Sequence, residues 1–210
     1  MRKLALSDEI LMKIEKPARY IGGEFNAIGL PMLLYGPTGT GKSLIAKLTY
    51  EWARNQGVIS KNGQFVQVNC SEYANNPELL TANLFGHVKG AFTGAEKDNE
   101  GLIALADNGV LFLDEVHELK AECQEKLFLF MDQGIYHRVG DNEKWYKSNV
   151  RIVFATTENP DKVLLKTLMR RIPMTITIPS LEQRGTQERI ELLHDIFSQE
   201  EKRLDCQIKI

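Results

Sequence analysis

Eight consecutive residues, Gly36-Pro37-Thr38-Gly39-Thr40-Gly41-Lys42-Ser43, have the spacing of a phosphate-binding loop. Small residues let backbone N–H groups converge on phosphate oxygens, and a helix starting at the end of the loop adds a positive partial charge. In such a loop Lys42 reaches the β- and γ-phosphates of ATP, and the Ser43 hydroxyl holds Mg²⁺. Leu44, the next residue, is expected to border the same nucleotide site. A second reactive pair is Asp114-Glu115, at the end of the apolar run Val110 to Leu113. Asp114 is expected to orient Mg²⁺ and its waters, and Glu115 to polarise the attacking water as general base. Alone, the pair also fits an acidic helix start; the phosphate loop in the same chain favours catalysis. Between the two motifs lies Gly90-Ala91-Phe92-Thr93-Gly94-Ala95. So few side chains there could pack that a core segment is excluded. The stretch reads as a flexible loop offering one ring and one hydroxyl, Phe92 and Thr93, to a partner.

These motifs need elements to hold them. Met32 to Tyr35 is a short apolar strand running into the glycine loop, and Leu44 to Arg54 has helical spacing. Phe65 to Val68, Val110 to Leu113, Ile152 to Ala155 and Met174 to Ile178 read as further strands, the second apolar on both faces as a buried parallel strand is. Ala121 to Met131 reads as an amphipathic helix carrying Phe128 and Phe130 as packing residues. Gly140-Asp141-Asn142 reads as a turn joining two short strands between Gly134 and Asn149. Ser7 to Lys16 has helical spacing with Ser7 as N-cap and Pro17 as stop, and Ser180 to Leu204 reads as one long charged helix. Strands alternating with helices predict an α/β fold with a doubly wound parallel sheet of about five strands.

Composition narrows the class. A chain of 210 residues, 43% hydrophobic and 26% charged, suits one α/β domain with a small appendage. A formal net charge of −2 makes no electrostatic case for nucleic acid. Cys70, Cys123 and Cys206 are too few and scattered for a disulfide framework, which suits a reducing cytosol. No apolar run approaches the ~18 residues of a membrane span, and Asp8, Glu9 and Lys13 interrupt any signal-like core after Met1-Arg2-Lys3. A cytoplasmic location is expected. The four histidines, His87, His117, His137 and His194, show no metal-ligand spacing and read as packing or surface residues.

With Leu84-Phe85-Gly86-His87 before the loop and Gly109 to Glu115 after it, the chain resembles the central ATPase domain of bacterial sigma-54-dependent activators, a branch of the AAA+ P-loop NTPases. Tyr73-Ala74-Asn75-Asn76-Pro77 and Leu164-Leu165-Lys166-Thr167 are similar to the activators with PTS regulation domains, the levanase-regulator type. The resemblance runs from about Ile21 to about Arg203. It implies an AAA+ core over residues 1–179 and the first part of a truncated helical lid over 180–210, with Ile21 and Gly22 joining the nucleotide site. It implies a ring, hexameric in the family, and contact between Gly90–Ala95 and the sigma-54 factor of RNA polymerase. DNA binding is expected only outside this chain. Asn69 falls where the family has an asparagine paired with the catalytic glutamate. Arg171, or its neighbour Arg170, falls where a trans-acting arginine reaches the next subunit's phosphate. Arg138 matches a position near a second, shorter loop, for structural support or subunit contact.

The chain departs from the family pattern twice. Thr157 stands where a sensor asparagine is usual, and a threonine reaches less far. Leu165 stands where an earlier arginine is usual. Three readings follow: an ATP-hydrolysing module that remodels sigma-54 polymerase and regulates a sugar phosphotransferase operon, an AAA+ ATPase with another client, and a nucleotide-gated interaction module without turnover.

Overall fold

In each strand alternate residues point to opposite faces, and here both faces are apolar. The computed structural model describes residues 31–187, 189, 190 and 194. The helix expected over Ser7 to Lys16, together with Ile21 and Gly22, lies outside them.

Five strands form one parallel sheet in the order β2-β3-β6-β1-β7: β1 (Met32–Tyr35), β2 (Phe65–Asn69), β3 (Val110–Asp114), β6 (Arg151–Thr156) and β7 (Met174–Thr177). Leu111 and Leu113 of β3 enter a core with Leu33, Val66, Val68, Ile152 and Phe154. Val110 and Phe112, one residue out of phase, enter a second core with Met32, Leu34, Val153, Ala155 and Ile176. Each core needs its own helical cover. α1 (Lys42–Asn55) covers the second with Ile45, Ala46 and Ala53. α2 (Pro77–Phe85) and α4 (Ala121–Gln133) cover the first with Leu80, Leu84, Phe85, Leu127 and Phe130. The doubly wound α/β sheet expected from the sequence is therefore present, with each strand boundary within one residue of the expected one.

Short elements complete the framework: α3 (Leu102–Leu105), α5 (Pro160–Val163), α6 (Lys166–Met169) and the antiparallel pair β4 (Ile135–Tyr136) and β5 (Tyr146–Lys147). The turn at Gly140-Asp141-Asn142 lies between β4 and β5, and the Asp141 carboxylate accepts from the N–H groups of Glu143 and Lys144.

The expected helix from Ser180 is corrected in part. Leu181 to Gln183 form a turn and helical residues begin only at Thr186. Ser180 explains this: its hydroxyl accepts from the Gln183 N–H, and its own N–H donates to the Gln183 side chain. Such local bonds offer the backbone an alternative to the helix. The remainder of that stretch is mostly outside the described residues. Among the described residues no helix is long and apolar enough to cross a membrane.

Candidate functional site

The parallel strands bring their carboxyl ends to one edge of the sheet, which is where ligands bind in open α/β folds. Tyr35 is in register with Thr156, and Asn69 with Asp114. The loops that leave these four strands therefore meet.

Gly36 to Gly41 turns from β1 into α1. Gly36 is packed so closely that a Cβ there would lie 2.4 Å from the Ile178 carbonyl oxygen, so only glycine fits. Gly39 and Gly41 have φ of 78° and 91°, the left-handed region, and a Cβ on either would meet nothing within 4 Å. Here glycine is required by the backbone, and the space beside the loop is open. Among the described residues no backbone carbonyl accepts from the N–H groups of Thr38 to Lys42. These donors at the start of a 14-residue helix fit a polyphosphate. Lys42 is only 6% exposed. Its ammonium donates to the carbonyls of Gly36 at 2.8 Å and Pro37 at 3.1 Å, and the Thr40 hydroxyl donates to Pro37 at 2.9 Å. Leu44 is 44% exposed beside the loop.

The Ser43 hydroxyl donates to the Asp114 carboxylate at 3.1 Å. A hydroxyl and a carboxylate in contact are hard oxygen donors that suit Mg²⁺. Among the described residues no group of three or more His, Cys, Asp or Glu could hold a metal by themselves.

Glu115 adopts φ 51°, ψ 50°, a left-handed conformation uncommon for a residue with a side chain. Its N–H donates to Asp114 Oδ1 at 3.0 Å. Its carboxylate accepts from the Thr157 hydroxyl at 3.0 Å and faces His117 Nδ1 at 3.4 Å. Thr157 bonds the general-base candidate itself. One sequence reading is corrected: His117, expected as a packing or surface residue, stands in the site. The Asn69 Oδ1 accepts from the N–H and hydroxyl of Ser71, capping a 3₁₀ turn. No spacing rule links His117 to Thr157; only the β3–β6 pairing brings their loops together.

Arg184 was not singled out in the sequence. It is 6% exposed, and its guanidinium donates to the Thr40 carbonyl at 2.9 Å and to the Pro179 carbonyl at 3.4 Å. It ties the segment after β7 to the phosphate loop.

The Gly90–Ala95 loop rises from a paired stem. His87 and Asn99 exchange backbone hydrogen bonds at 3.0 and 2.8 Å, and the Val88 N–H donates to the Val139 carbonyl at 3.1 Å. The stem thus joins the hairpin that carries Gly140. Gly90 and Gly94 have φ of 83° and 99° and let the loop reverse. Phe92 is 37% exposed, its ring edge-on to His87 with centroids 4.9 Å apart, so it leans on the stem and stays out of the core. Thr93 is exposed. Ala95 is a correction: at 6% exposed it is an anchor and not a contact surface, and its carbonyl accepts from the Gly90 N–H at 2.8 Å.

Arg171 sits outside this cluster, after α6. It makes a two-pronged pair with Asp132, with Nε to Oδ1 at 2.6 Å, and its guanidinium lies 4.5 Å from the centre of the Phe128 ring. Asp132 holds the guanidinium further in its charged form. Arg170 is exposed. Arg138 stacks over Tyr146 at 4.1 Å, bracing the β4–β5 hairpin.

The chain matches the sigma-54 interaction domain over residues 12–176. It belongs to that family. It is 49% identical over 182 residues to the transcriptional regulatory protein LevR of Bacillus subtilis strain 168, covering 87% of this chain and 20% of that protein. It is 44% identical over 184 residues to the transcriptional regulatory protein DagR of Salmonella typhimurium strain 14028s, covering 87% of this chain and 19% of that protein. The levanase-regulator type expected from Tyr73–Pro77 and Leu164–Thr167 accords with these two relatives. The chain spans about a fifth of their length. The crystal structure of NtrX from Brucella abortus in complex with ADP superimposes with a TM-score of 0.77 at 24% identity, covering 98% of this chain and 42% of that one. The fold is the AAA+ α/β fold, and the sigma-54 interaction domain is the frame in which the site is read below.

Proposed function

We propose that this sigma-54 interaction domain hydrolyses ATP and uses the cycle to move the Gly90–Ala95 loop against the sigma-54 factor of RNA polymerase. The observation that carries the reading is the meeting of Lys42, Ser43, Asp114 and Glu115 at one sheet edge, with the Ser43–Asp114 contact at 3.1 Å. Gly36 to Ser43, with Leu44, hold the nucleotide, and Ser43 and Asp114 hold Mg²⁺. When bound, Mg²⁺ neutralises phosphate charge. Glu115 takes a proton from the attacking water. Residues 1–179 form the AAA+ core, with Ile21 and Gly22 beside the nucleotide, and 180–210 begin the lid. The chain works in a ring, hexameric as in the family resemblance, where Arg171 serves the neighbouring site. The whole regulator binds DNA through other domains, acts in the cytoplasm and controls a sugar phosphotransferase operon.

The loop's part follows from its build. Phe92 and Thr93 are exposed on a stem whose other partner is the β4–β5 hairpin, so a shift of the hairpin is felt at the loop foot.

The test pairs turnover with binding. Glu115→Gln is expected to keep ATP affinity within about threefold and lower turnover by about 10²-fold or more. Phe92→Ala is expected to leave turnover intact and abolish sigma-54 capture in an ADP–aluminium fluoride complex. Turnover insensitive to Glu115→Gln overturns the enzymatic reading, and capture insensitive to Phe92→Ala overturns the loop's role. The reading of a nucleotide-gated module without turnover draws on one observation: the Glu115 carboxylate is already engaged by Thr157.

A further inference from the structure

The partners of Glu115 form a chain of contacts that the motifs do not explain. His117 has Nδ1 3.4 Å from Glu115 Oε2 and Nε2 3.5 Å from Glu118 Oε1, so each ring nitrogen faces a carboxylate. The ring is largely shielded, with a side chain 21% exposed. Its Nδ1 also lies 3.3 Å from the Thr156 hydroxyl. That hydroxyl is itself fixed, accepting from the Glu158 N–H at 3.1 Å and donating to the Glu158 carbonyl at 3.3 Å. The ring is thus held from β6 on one side and by Glu118 on the other. Thr157, the next residue of the same loop, grips the same Glu115 oxygen, Oε2, that His117 faces. A glutamate side chain has three free torsions, and holding one of its oxygens from two directions removes most of that freedom.

We propose that His117 is a positioning residue which, with Thr157, holds the Glu115 carboxylate in its working orientation. The inference rests on the proposed ATPase reading, since it gives Glu115 a reaction to serve. It also has a physical consequence for signalling. Thr156 ends β6 and Thr157 follows it in the same loop. A change at the γ-phosphate that moves Thr157 moves the grip on Glu115 at the same time.

The experiment compares His117→Leu, His117→Asn and Glu118→Gln with the unmodified chain, at a protein concentration where specific ATPase activity has levelled off. Orienting partners act on a scale of about 10–100-fold. We expect His117→Leu to lower kcat by about tenfold or more with KM for ATP within about twofold. His117→Asn, which keeps a donor close to the Nδ1 position, restores most of the loss, and Glu118→Gln loses less than His117→Leu. Unchanged kcat in His117→Leu overturns the proposal. An equal fall in His117→Leu and His117→Asn also overturns it, because the loss is then one of packing. A nitrogen-detected NMR readout separates this from the ATPase reading. If the unmodified chain shows no turnover, that reading fails, but the His117 Nδ1 signal still decides the contact. A shift of that signal in Glu115→Gln supports the hold, and an unmoved signal overturns it.

Discussion

The Lys42 ammonium is both the group expected to meet the nucleotide's phosphates and a strut for the loop that surrounds them. Its two bonds, to Gly36 and Pro37, preset the turn. Lys42→Ala is expected to weaken ATP binding by at least about tenfold, or roughly 1.4 kcal/mol, measured by titration calorimetry, while the melting temperature changes little. The two buried thiols report on the core. Burial pushes the Cys123 thiol up to about 11 from an ordinary 9.0, and burial pushes Cys70 higher still. A raised thiol pKa means that the folded state favours the neutral form. The stability it contributes is complete below pH 9, where the unfolded thiol is also neutral, and is lost as the pH rises from there toward the folded value. Urea midpoints are expected to fall between pH 9 and 11, and the fall is expected to be shallower in Cys123→Ala.

Among the elements, the helices differ in how plainly they are written in the chain. α1 and α4 carry apolar stripes that the 3.6-residue period finds. α2 is not legible from periodicity: in Pro77–Phe85 the polar Glu78, Thr81 and Asn83 are spread among the apolar residues, so no clean stripe forms. Its start was nonetheless signalled, since Asn76 caps the Leu79 N–H at 3.2 Å and Pro77 occupies the first turn. The segment after β7 is the other element whose role depends on a contact distant in sequence. Arg184 joins it to the phosphate loop, so Arg184→Ala is expected to lower ATP affinity several-fold, and Arg184→Lys to recover only part, because lysine lacks the two-armed geometry that spans Thr40 and Pro179. Equal affinity in all three chains, measured with a fluorescent ATP analogue, counts against that link.

On the scale of the whole molecule, the arginine expected to act in trans makes no hydrogen bond with its own phosphate loop among the described residues. Arg171 is paired to Asp132 at the end of α4 and stacked on Phe128, and its Nη1 donates to the Thr167 carbonyl. To serve a neighbour's phosphate the guanidinium must exchange the Asp132 carboxylate for phosphate oxygens, which the same planar fork can bind. Arg171→Ala is expected to bind ATP normally and to lose about 10³-fold in turnover. Mixing Arg171→Ala with Glu115→Gln, each inactive alone, is expected to restore activity, because some junctions then join an intact arginine to an intact glutamate. No recovery at any mixing ratio counts against a shared site.

The amino-acid sequence by itself determined the sheet, the phosphate loop, the acidic pair and the family. These depend on local rules: strand apolarity, glycine at left-handed φ, and motif spacing along a few tens of residues. Only the tertiary structure decided which side chains surround Glu115. His117 and Thr157 lie 40 positions apart and meet because β3 and β6 are neighbours in parallel register. It likewise turned Asn69 toward Ser71, buried Ala95 beneath its loop and set Arg184 against Thr40. Each of these is a contact between segments or a choice among several short-range hydrogen bonds. Such choices are settled by the packing around them, which residue type and spacing alone do not encode.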